Sequence, residues 1–413
     1  MELRGAAVVG QSGGPTAAIN ASLAGVISGL LEKDCVTRVY GMRNGIEGFL
    51  REDVIDLTEV FSADGKADEK KLETLSLTPA SALGSCRKKL PDPASDPEFF
   101  EGLVNLFKAR DIRYFFYIGG NDSMDTVMKL TSYVKTCDWE MRVIGVPKTI
   151  DNDLCATDHT PGFGSAAKYI ATTVQEIIRD CSVYTVPAVT IVEIMGRDAG
   201  WLTAAAGLPG IVNGYAPDLI YLPEKAFSLD LFLGDVKKAL EKHPNVVIAV
   251  SEGLRDGDGR YVGEGTQSGV ADVFGHKYLS GTGKALELFV KEKIGCKVRS
   301  VELNISQRCG AHIASKTDID ESFGVGRAAA EAAVNGFGGC MMSIERNSGD
   351  VYGVSFVPKD ISGIANAVRT VPDEFINSDA NNVTNECLEY LLPLIEGEVA
   401  HTYKHGLPEI FVF

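Results

Sequence analysis

Met141-Arg142-Val143-Ile144-Gly145-Val146-Pro147-Lys148-Thr149-Ile150-Asp151-Asn152-Asp153 joins an apolar run to a proline, a lysine and two carboxylates. Residues 141–146 read as a buried strand, and the proline ends it. Asp151 and Asp153 then follow, two residues apart. In an open α/β sheet, ligands bind beyond the carboxyl ends of the strands, so these polar side chains fall where chemistry is done. A carboxylate that takes a hydroxyl proton, beside one that holds a cation, is the minimum equipment for phosphoryl transfer. Lys148 stands where it can neutralise a phosphate.

The same grammar recurs outward from this point. Tyr114-Phe115-Phe116-Tyr117-Ile118 runs into Gly119-Gly120-Asn121-Asp122-Ser123, and residues 6–9 into Gly10-Gln11-Ser12-Gly13-Gly14-Pro15. Further on come Ile194-Met195-Gly196-Arg197-Asp198-Ala199-Gly200-Trp201, Ser251-Glu252-Gly253 after residues 246–250, and Gln307-Arg308. Short apolar runs end in glycine and charged residues along most of the chain. Helical segments alternate with them: 16–31, 99–109, 123–134, 164–179, 201–206, 230–242, 284–293 and 322–335. Strands are expected at 3–9, 36–40, 114–118, 141–146, 189–193, 219–222, 246–250 and 298–303, with a hairpin at 340–344 and 351–357. Such alternation implies right-handed βαβ crossovers, hence an α/β fold with mainly parallel sheets covered by helices on both faces. Residues 62–71 read as an exposed excursion, and 386–413 as one helix followed by a packed apolar end.

At 413 residues the chain exceeds the size at which a single core divides, so two Rossmann-like lobes are expected. The division anticipated is 1–180 with a C-terminal return, 181–360, and a C-terminal helical extension over 361–413. Hydrophobic content of 45% and charge of 23% exclude a disordered or fibrous chain. No apolar run approaches the ~18 residues that span a bilayer, and residues 1–5 lead straight into a strand, leaving no room for a signal peptide. Nine scattered cysteines without CxxC pairs suit a reducing compartment, so a cytoplasmic location is expected. A net charge of −16 argues against nucleic acid as a partner. It also repels anionic substrates, unless Lys and Arg converge locally and a divalent cation helps.

Several motifs have plain structural readings. There is no Gly-x4-Gly-Lys-Ser/Thr loop; Gly281-Thr282-Gly283-Lys284-Ala285 lacks the hydroxyl and the spacing. Gly162-Phe163-Gly164-Ser165-Ala166-Ala167 matches a loose dinucleotide fingerprint but lies well past its nearest strand, and reads as a tight loop opening a helix. Gly13-Gly14, between strand and helix, is either an anion cradle or a sharp turn. Asp122 caps the following helix, fixes a metal, or contests the space of a larger ligand. Arg87 after Gly84-Ser85 is a surface cation or a phosphate clamp. His159, His243, His276, His312, His401 and His405 show no metal-ligand spacing.

Taken together, these strings resemble the phosphofructokinase family, in register over roughly residues 3 to 360. The motifs that carry the resemblance are Gly13-Gly14, Gly84-Ser85-Cys86-Arg87, the 119–123 turn, Thr149-Ile150-Asp151-Asn152-Asp153, Met195-Gly196-Arg197, Glu252-Gly253 and Gln307-Arg308. The resemblance implies that Asp151 is the general base on the 1-hydroxyl of fructose 6-phosphate. It implies that Thr149, Ile150, Met195, Gly196, Arg197, Glu252, Ile305 and Arg308 line the sugar-phosphate site. Arg299 aligns with an arginine that reaches this site from a neighbouring subunit, which implies a homodimer or homotetramer with a shared active site. Gly13, Gly14, Arg87, Lys88 and Ser123 would hold the phosphoryl donor. Mg²⁺ is the implied cofactor, with Asn121 and Asp153 as its ligands.

The donor turns on Asp122 and Lys148. ATP-using relatives carry glycine at both positions. Asp122 would crowd and repel an α-phosphate, whereas Lys148 binds pyrophosphate and spreads charge in the transition state. Both residues are those of the pyrophosphate-dependent branch. Three positions depart from the family pattern. Asn121 replaces the aspartate assigned to Mg²⁺, Ile305 replaces a polar residue on the substrate phosphate, and Ala188 replaces a second cross-subunit arginine. The alternatives are an ATP-dependent 6-phosphofructokinase and, motivated by Asn121, a non-catalytic regulatory subunit. A dehydrogenase would rest on residues 162–167 alone.

Overall fold

The computed structural model describes residues 3–63, 66–264, 281–349, 351–365 and 367–413; His276 lies outside the described residues. The strands are β1 (Gly5–Gln11), β2 (Val36–Met42), β3 (Val54–Asp56), the short pair β4 (Ser62–Ala63) and β5 (Lys66–Ala67), β6 (Ile112–Gly119), β7 (Arg142–Pro147), β8 (Ala188–Ile194), β9 (Leu219–Tyr221), β10 (Asn245–Ser251), β11 (Lys297–Glu302), β12 (Cys340–Arg346), β13 (Val354–Asp360) and a second short pair, β14 (Tyr403–Lys404) and β15 (Leu407–Pro408). A seven-stranded sheet runs β13-β12-β7-β6-β1-β2-β3, and a four-stranded sheet runs β11-β8-β10-β9. The smaller sheet is parallel throughout, and the larger is parallel except at its two edges, where β3 and β13 pair antiparallel. This is the expected α/β class, with two lobes.

Both sheets are buried on both faces, which is what parallel sheets require. In β1, Ala7 and Val9 face one core while Ala6 and Val8 face another. In β10, Val247 and Ala249 face one core while Val246, Ile248 and Val250 face the opposite one. One cover of the larger sheet is made by helices Ile19–Leu31 and Lys316–Val334, whose backbones touch. A Cβ on Gly25 would stand 2.0 Å from the Phe323 carbonyl oxygen, and one on Gly326 would stand 2.2 Å from that of Ser22. Glycine is therefore obligatory at the crossing. Helix Ile19–Leu31 is buried on nearly every side, so its apolar residues are not confined to one stripe, and Asn20, Ser22 and Ser28 are buried among them.

The helix expected at 322–335 begins at Lys316, where the Ser315 side chain caps it. Its first turns carry Asp318, Asp320 and Glu321 and so lack the apolar period. The hairpin at the end of the series forms as expected, and its strands β12 and β13 join the larger sheet, so sheet membership changes well before residue 360. The tail differs from expectation. Its helix spans only Asn385–Leu391 and tightens into a 3-10 turn over Leu392–Ile395, where Pro393 cannot continue an α-helix. Beyond it, Phe411 stacks on Phe61 at 5.1 Å between ring centroids, and Phe413 meets the same ring edge-on at 6.0 Å. The alternate residues Ile410 and Val412 point outward. All nine cysteines are free. Among the described residues, no helix is long and apolar enough to cross a membrane.

In the larger sheet the chain moves one way from β1 to β2 and the other way from β6 to β7. The crevice beyond the carboxyl ends of β1 and β6 is thus a topological switch point, the place where α/β sheets bind ligands.

Candidate functional site

At that crevice the carboxyl ends of β1, β6, β7, β8 and β10 face a cleft of about 500 Å³. Its lining includes Gly13, Gly14, Arg87, Lys88, Asn121, Asp122, Ser123, Lys148, Thr149, Ile150, Asp151, Asp153, Met195, Arg197, Glu252 and Arg308. Strings scattered across nearly three hundred residues are brought together there.

The donor side is built on the Gly13-Gly14 turn. Gly13 has φ +78, and a Cβ on it would lie 3.2 Å from Lys148 Nζ, so both its backbone angle and its missing side chain admit the lysine. Lys148 is 3% exposed and donates from Nζ to the Gly14 carbonyl at 2.7 Å. Gly13 N–H donates to the Cys86 carbonyl at 3.0 Å, and Ser85 Oγ donates to the Gly13 carbonyl at 2.6 Å. These bonds fix the Gly84–Arg87 loop against the turn and carry Arg87 to the rim. Behind them, buried Gln11 and Asn20 hold the same loop through Leu83 N–H and Ala82 N–H. Asn121 opens the helix Asn121–Val134, with Asp122 in its first turn. Asp122 makes no capping bond there; its carboxylate pairs with Lys89 at 3.0 Å. Ser123 Oγ donates to Ser12 Oγ at 3.0 Å.

The turn after β7 is held from within. Asn152 takes φ +54, a left-handed angle that asparagine tolerates. Its Oδ1 accepts from Thr160 N–H at 3.1 Å. Thr149 Oγ1 accepts from Asp151 N–H at 3.1 Å, and Thr160 Oγ1 donates to the Thr149 carbonyl at 2.7 Å. The turn therefore presents Asp151 and Asp153 to the cleft while Asn152 is fully buried.

On the opposite wall, a Cβ on Gly253 would stand 1.9 Å from the Arg197 carbonyl oxygen. That contact explains the Glu-Gly pair after β10: only glycine lets the Met195–Arg197 loop lie against it. Gly196 N–H donates to Glu252 Oε1 at 3.3 Å, Ser251 Oγ donates to the Gly196 carbonyl, and Met195 N–H donates to Gln307 Oε1 at 3.1 Å. Gln307 is thus an anchor, and its neighbour Arg308 faces the cleft.

The electrostatics are those of a site awaiting an anion. Burial pushes the Lys148 ammonium down to about 8, against the pull of Asp151 and Asp153 and with the push of Arg87 and Arg308. Burial raises the Asp151 carboxyl above the usual aspartate range, with Lys148 and Arg197 opposing. Asp153 is raised to about 7 by burial and then by Asp151, and Glu252 to about 8 by the same two causes. Carboxyls poised near neutrality beside a recessed ammonium can pass a proton at working pH.

Asn121 Oδ1 is buried and has no hydrogen-bond partner, so it fits a cation. Asp153 lines the same cleft, and one or two such protein oxygens are the number that Mg²⁺ takes alongside substrate phosphates. Among the described residues, no group of three His, Cys, Asp or Glu forms a self-sufficient metal cage.

Three sequence candidates lie outside the lining. Gly196, at φ +135, shapes the Met195–Arg197 loop from behind. Ile305 is 55% exposed. Arg299 is in register with Thr190, four residues before the end of β8 and so about 13 Å along the strand from the cleft. It lines a separate hollow of about 60 Å³ with Tyr184 and Lys297. Sequence reasoning missed Asp198, which lines the cleft and pairs with Arg255. Its signal was its place directly after Arg197. Lys89, which follows Lys88 in the chain, is the partner of Asp122, and that pairing was also missed.

A family model described as Phosphofructokinase matches residues 6–332. The chain is 40% identical over 405 residues to the pyrophosphate–fructose 6-phosphate 1-phosphotransferase of Halomonas elongata, covering 97% of this chain and 94% of that one. It is 41% identical over 402 residues to the enzyme of the same name from Xanthomonas campestris, covering 97% and 94%. The crystal structure of the pyrophosphate-dependent phosphofructokinase from Nitrosospira multiformis is similar with a TM-score of 0.87 at 39% identity, covering 99% of this chain and 96% of that one.

Proposed function

The chain belongs to the phosphofructokinase family, and from that premise we propose that it reversibly transfers a phosphoryl group from pyrophosphate to the 1-hydroxyl of fructose 6-phosphate. The products are fructose 1,6-bisphosphate and phosphate. The observation that carries the donor assignment is the buried Lys148 ammonium, seated on the Gly13-Gly14 turn in the same cleft as Asp151. An ammonium held there costs the free enzyme stability, and a pyrophosphate anion relieves that cost. Asp122 and Lys89 occupy the donor side of the cleft, where the α-phosphate of a nucleotide would otherwise extend.

In this reading Asp151 accepts the proton of the 1-hydroxyl as that oxygen attacks the near phosphorus. Lys148, with Arg87, Lys88, Gly13, Gly14 and Ser123, holds pyrophosphate, and the leaving phosphate departs with its charge met by Lys148. Arg197 and Arg308 grip the sugar phosphate, since guanidinium groups match phosphate oxygens in pairs. Thr149, Ile150, Met195, Gly196 and Glu252 shape the sugar pocket. Asn121 and Asp153 would hold Mg²⁺, which supplies charge neutralisation on the donor. Arg299 acts from the neighbouring protomer of a homodimer or homotetramer, and Ile305 borders the sugar-phosphate site. The catalytic lobe comprises residues 1–180 with the returning strands β12 and β13, and the sugar-phosphate lobe is centred on β8 to β11. Nine reduced thiols suit a cytoplasmic setting.

The double variant Asp122→Gly with Lys148→Gly tests the donor assignment. It should lose pyrophosphate activity steeply and admit ATP weakly. Full pyrophosphate activity in that variant would overturn the roles given to both residues.

A further inference from the structure

His159 sits six residues beyond Asp153, is 3% exposed, and lines no part of the cleft. Its Nδ1 lies 2.8 Å from Asp158 Oδ1, and its Nε2 lies 2.5 Å from Glu321 Oε2. Both ring nitrogens face carboxylates, an arrangement that only an imidazolium satisfies fully, donating from each. The partners are themselves tied down. Tyr352 donates to Glu321 Oε1 at 2.7 Å, Arg346 pairs with Asp158 at 3.2 Å, and the Tyr390 hydroxyl donates to the Asp158 carbonyl at 2.7 Å. The Arg346 guanidinium also lies over the Tyr390 ring at 4.4 Å. Four segments distant in sequence thus converge on one buried cation.

We propose that His159 is a positioning residue for the catalytic turn, an ionic rivet that fixes the limb returning from Asp151 to helix Lys316–Val334 and to β12. The chain of contact is short. Thr160, the next residue, spans the turn: its N–H donates to Asn152 Oδ1 at 3.1 Å and its Oγ1 to the Thr149 carbonyl at 2.7 Å. Thr149 in turn accepts from Asp151 N–H at 3.1 Å. Any shift of residue 159 therefore moves both ends of the turn that carries Asp151. On the far side of the limb, Asp318 accepts from Gly162 N–H at 2.8 Å and Ser165 N–H at 2.9 Å. Asp318 and Glu321, one helical turn apart, grip the same limb at two points.

The charged groups around the imidazole are Asp158 and Glu321, with Arg346 behind Asp158. Burial opposes charge on His159, but its bonds to Asp158 and Glu321 outweigh that and raise its pKa above the usual imidazole value. Removing the ring leaves two carboxylates buried without their shared cation, which favours opening of the limb.

This inference deepens the catalytic role given to Asp151 and rests on it. The test compares the full-length enzyme with His159→Gln and with Glu321→Gln, which keeps a hydrogen-bonding group without its charge. Two readouts are used: steady-state kinetics per folded enzyme, and hydrogen–deuterium exchange of the segment 149–162. His159→Gln should lower kcat about 10- to 100-fold, the scale of a small misplacement of a reacting group, with both KM values within threefold. Exchange of residues 149–162 should rise at least tenfold while β1 and β6 stay protected. Glu321→Gln should move both readouts the same way to a smaller extent, and it decides the matter if His159→Gln does not fold. Unchanged exchange at 149–162, or a kcat loss matched by the lost folded fraction, would overturn the inference. The exchange readout needs no turnover, so a wild-type enzyme inactive with pyrophosphate would refute the proposed function while leaving this test intact.

Discussion

Replacing Lys148 by methionine keeps the length of the side chain and removes its charge, and the structure gives the consequence a size and a direction. Nζ is buried against the Gly14 carbonyl, and burial draws the ammonium from its usual 10.5 to about 8. At 1.36 kcal/mol per unit, that drop means the fold spends about 3 kcal/mol to keep a charge there below pH 8. The sign follows from proton counting. Between pH 8 and 10.5 the unfolded chain holds a proton on Lys148 that the native enzyme has released, so stability rises with pH across that window. The cost is complete below pH 8 and gone above 10.5. Lys148→Met should therefore be no less stable than wild type at pH 7, since Asp153, held up at about 7, can protonate in place of the lost charge. The gain should shrink as pH rises above 8. Activity should go the other way. Loss of a preorganised cation at developing charge costs about 100- to 1,000-fold in kcat with pyrophosphate. Urea unfolding at pH 7 and 9.5, beside bisphosphate formation, measures both. A variant more than about 2 kcal/mol less stable at pH 7, or one keeping a third of wild-type kcat, would refute the reasoning.

Three further outcomes follow from particular contacts. Gly253→Ala forces a Cβ to within 1.9 Å of the Arg197 carbonyl, so it should raise KM for fructose 6-phosphate about tenfold and leave that for pyrophosphate within twofold; equal changes in both would contradict the placement of Arg197. Glu252, raised to about 8 by burial, is protonated at neutral pH in the free enzyme. The native state then holds a proton that the unfolded chain loses near 4.5, so this group's contribution falls as pH rises from about 4.5 to 8 and is lost by about 8. Glu252→Gln should remove that slope between pH 5 and 8, as read by melting temperature. Gly326→Val drives a side chain into the Ser22 carbonyl and should cost more than about 3 kcal/mol in denaturant unfolding, the scale of severe overpacking.

Much of this molecule was legible because parallel strands buried on both faces read as continuous apolar runs. Tyr114-Phe115-Phe116-Tyr117-Ile118 is recognisable whatever it packs against, and the glycine and charged residues after each run mark the sheet's functional end. What the sequence hid depends on partners distant in the chain. Asp318 and Glu321 break the apolar period of their helix because they grip residues 159–165. The packed apolar end of the tail was expected, but its seat, the Phe61 ring that Phe411 and Phe413 meet, was not legible. Gly253 resembles any turn glycine until the Arg197 carbonyl is seen against it. Asp122 had a legible charge, but its partner Lys89 could be assigned only once the loop after Arg87 was placed by Gly13 and Ser85.

The central claim is that the buried ammonium on the Gly13-Gly14 turn makes pyrophosphate the donor. Its most direct test supplies the wild-type enzyme with Mg²⁺ and fructose 6-phosphate, and follows fructose 1,6-bisphosphate with pyrophosphate or ATP as sole donor. The account predicts turnover with pyrophosphate, phosphate-driven reversal, and at least 100-fold less activity with ATP. Turnover with ATP and none with pyrophosphate would contradict it.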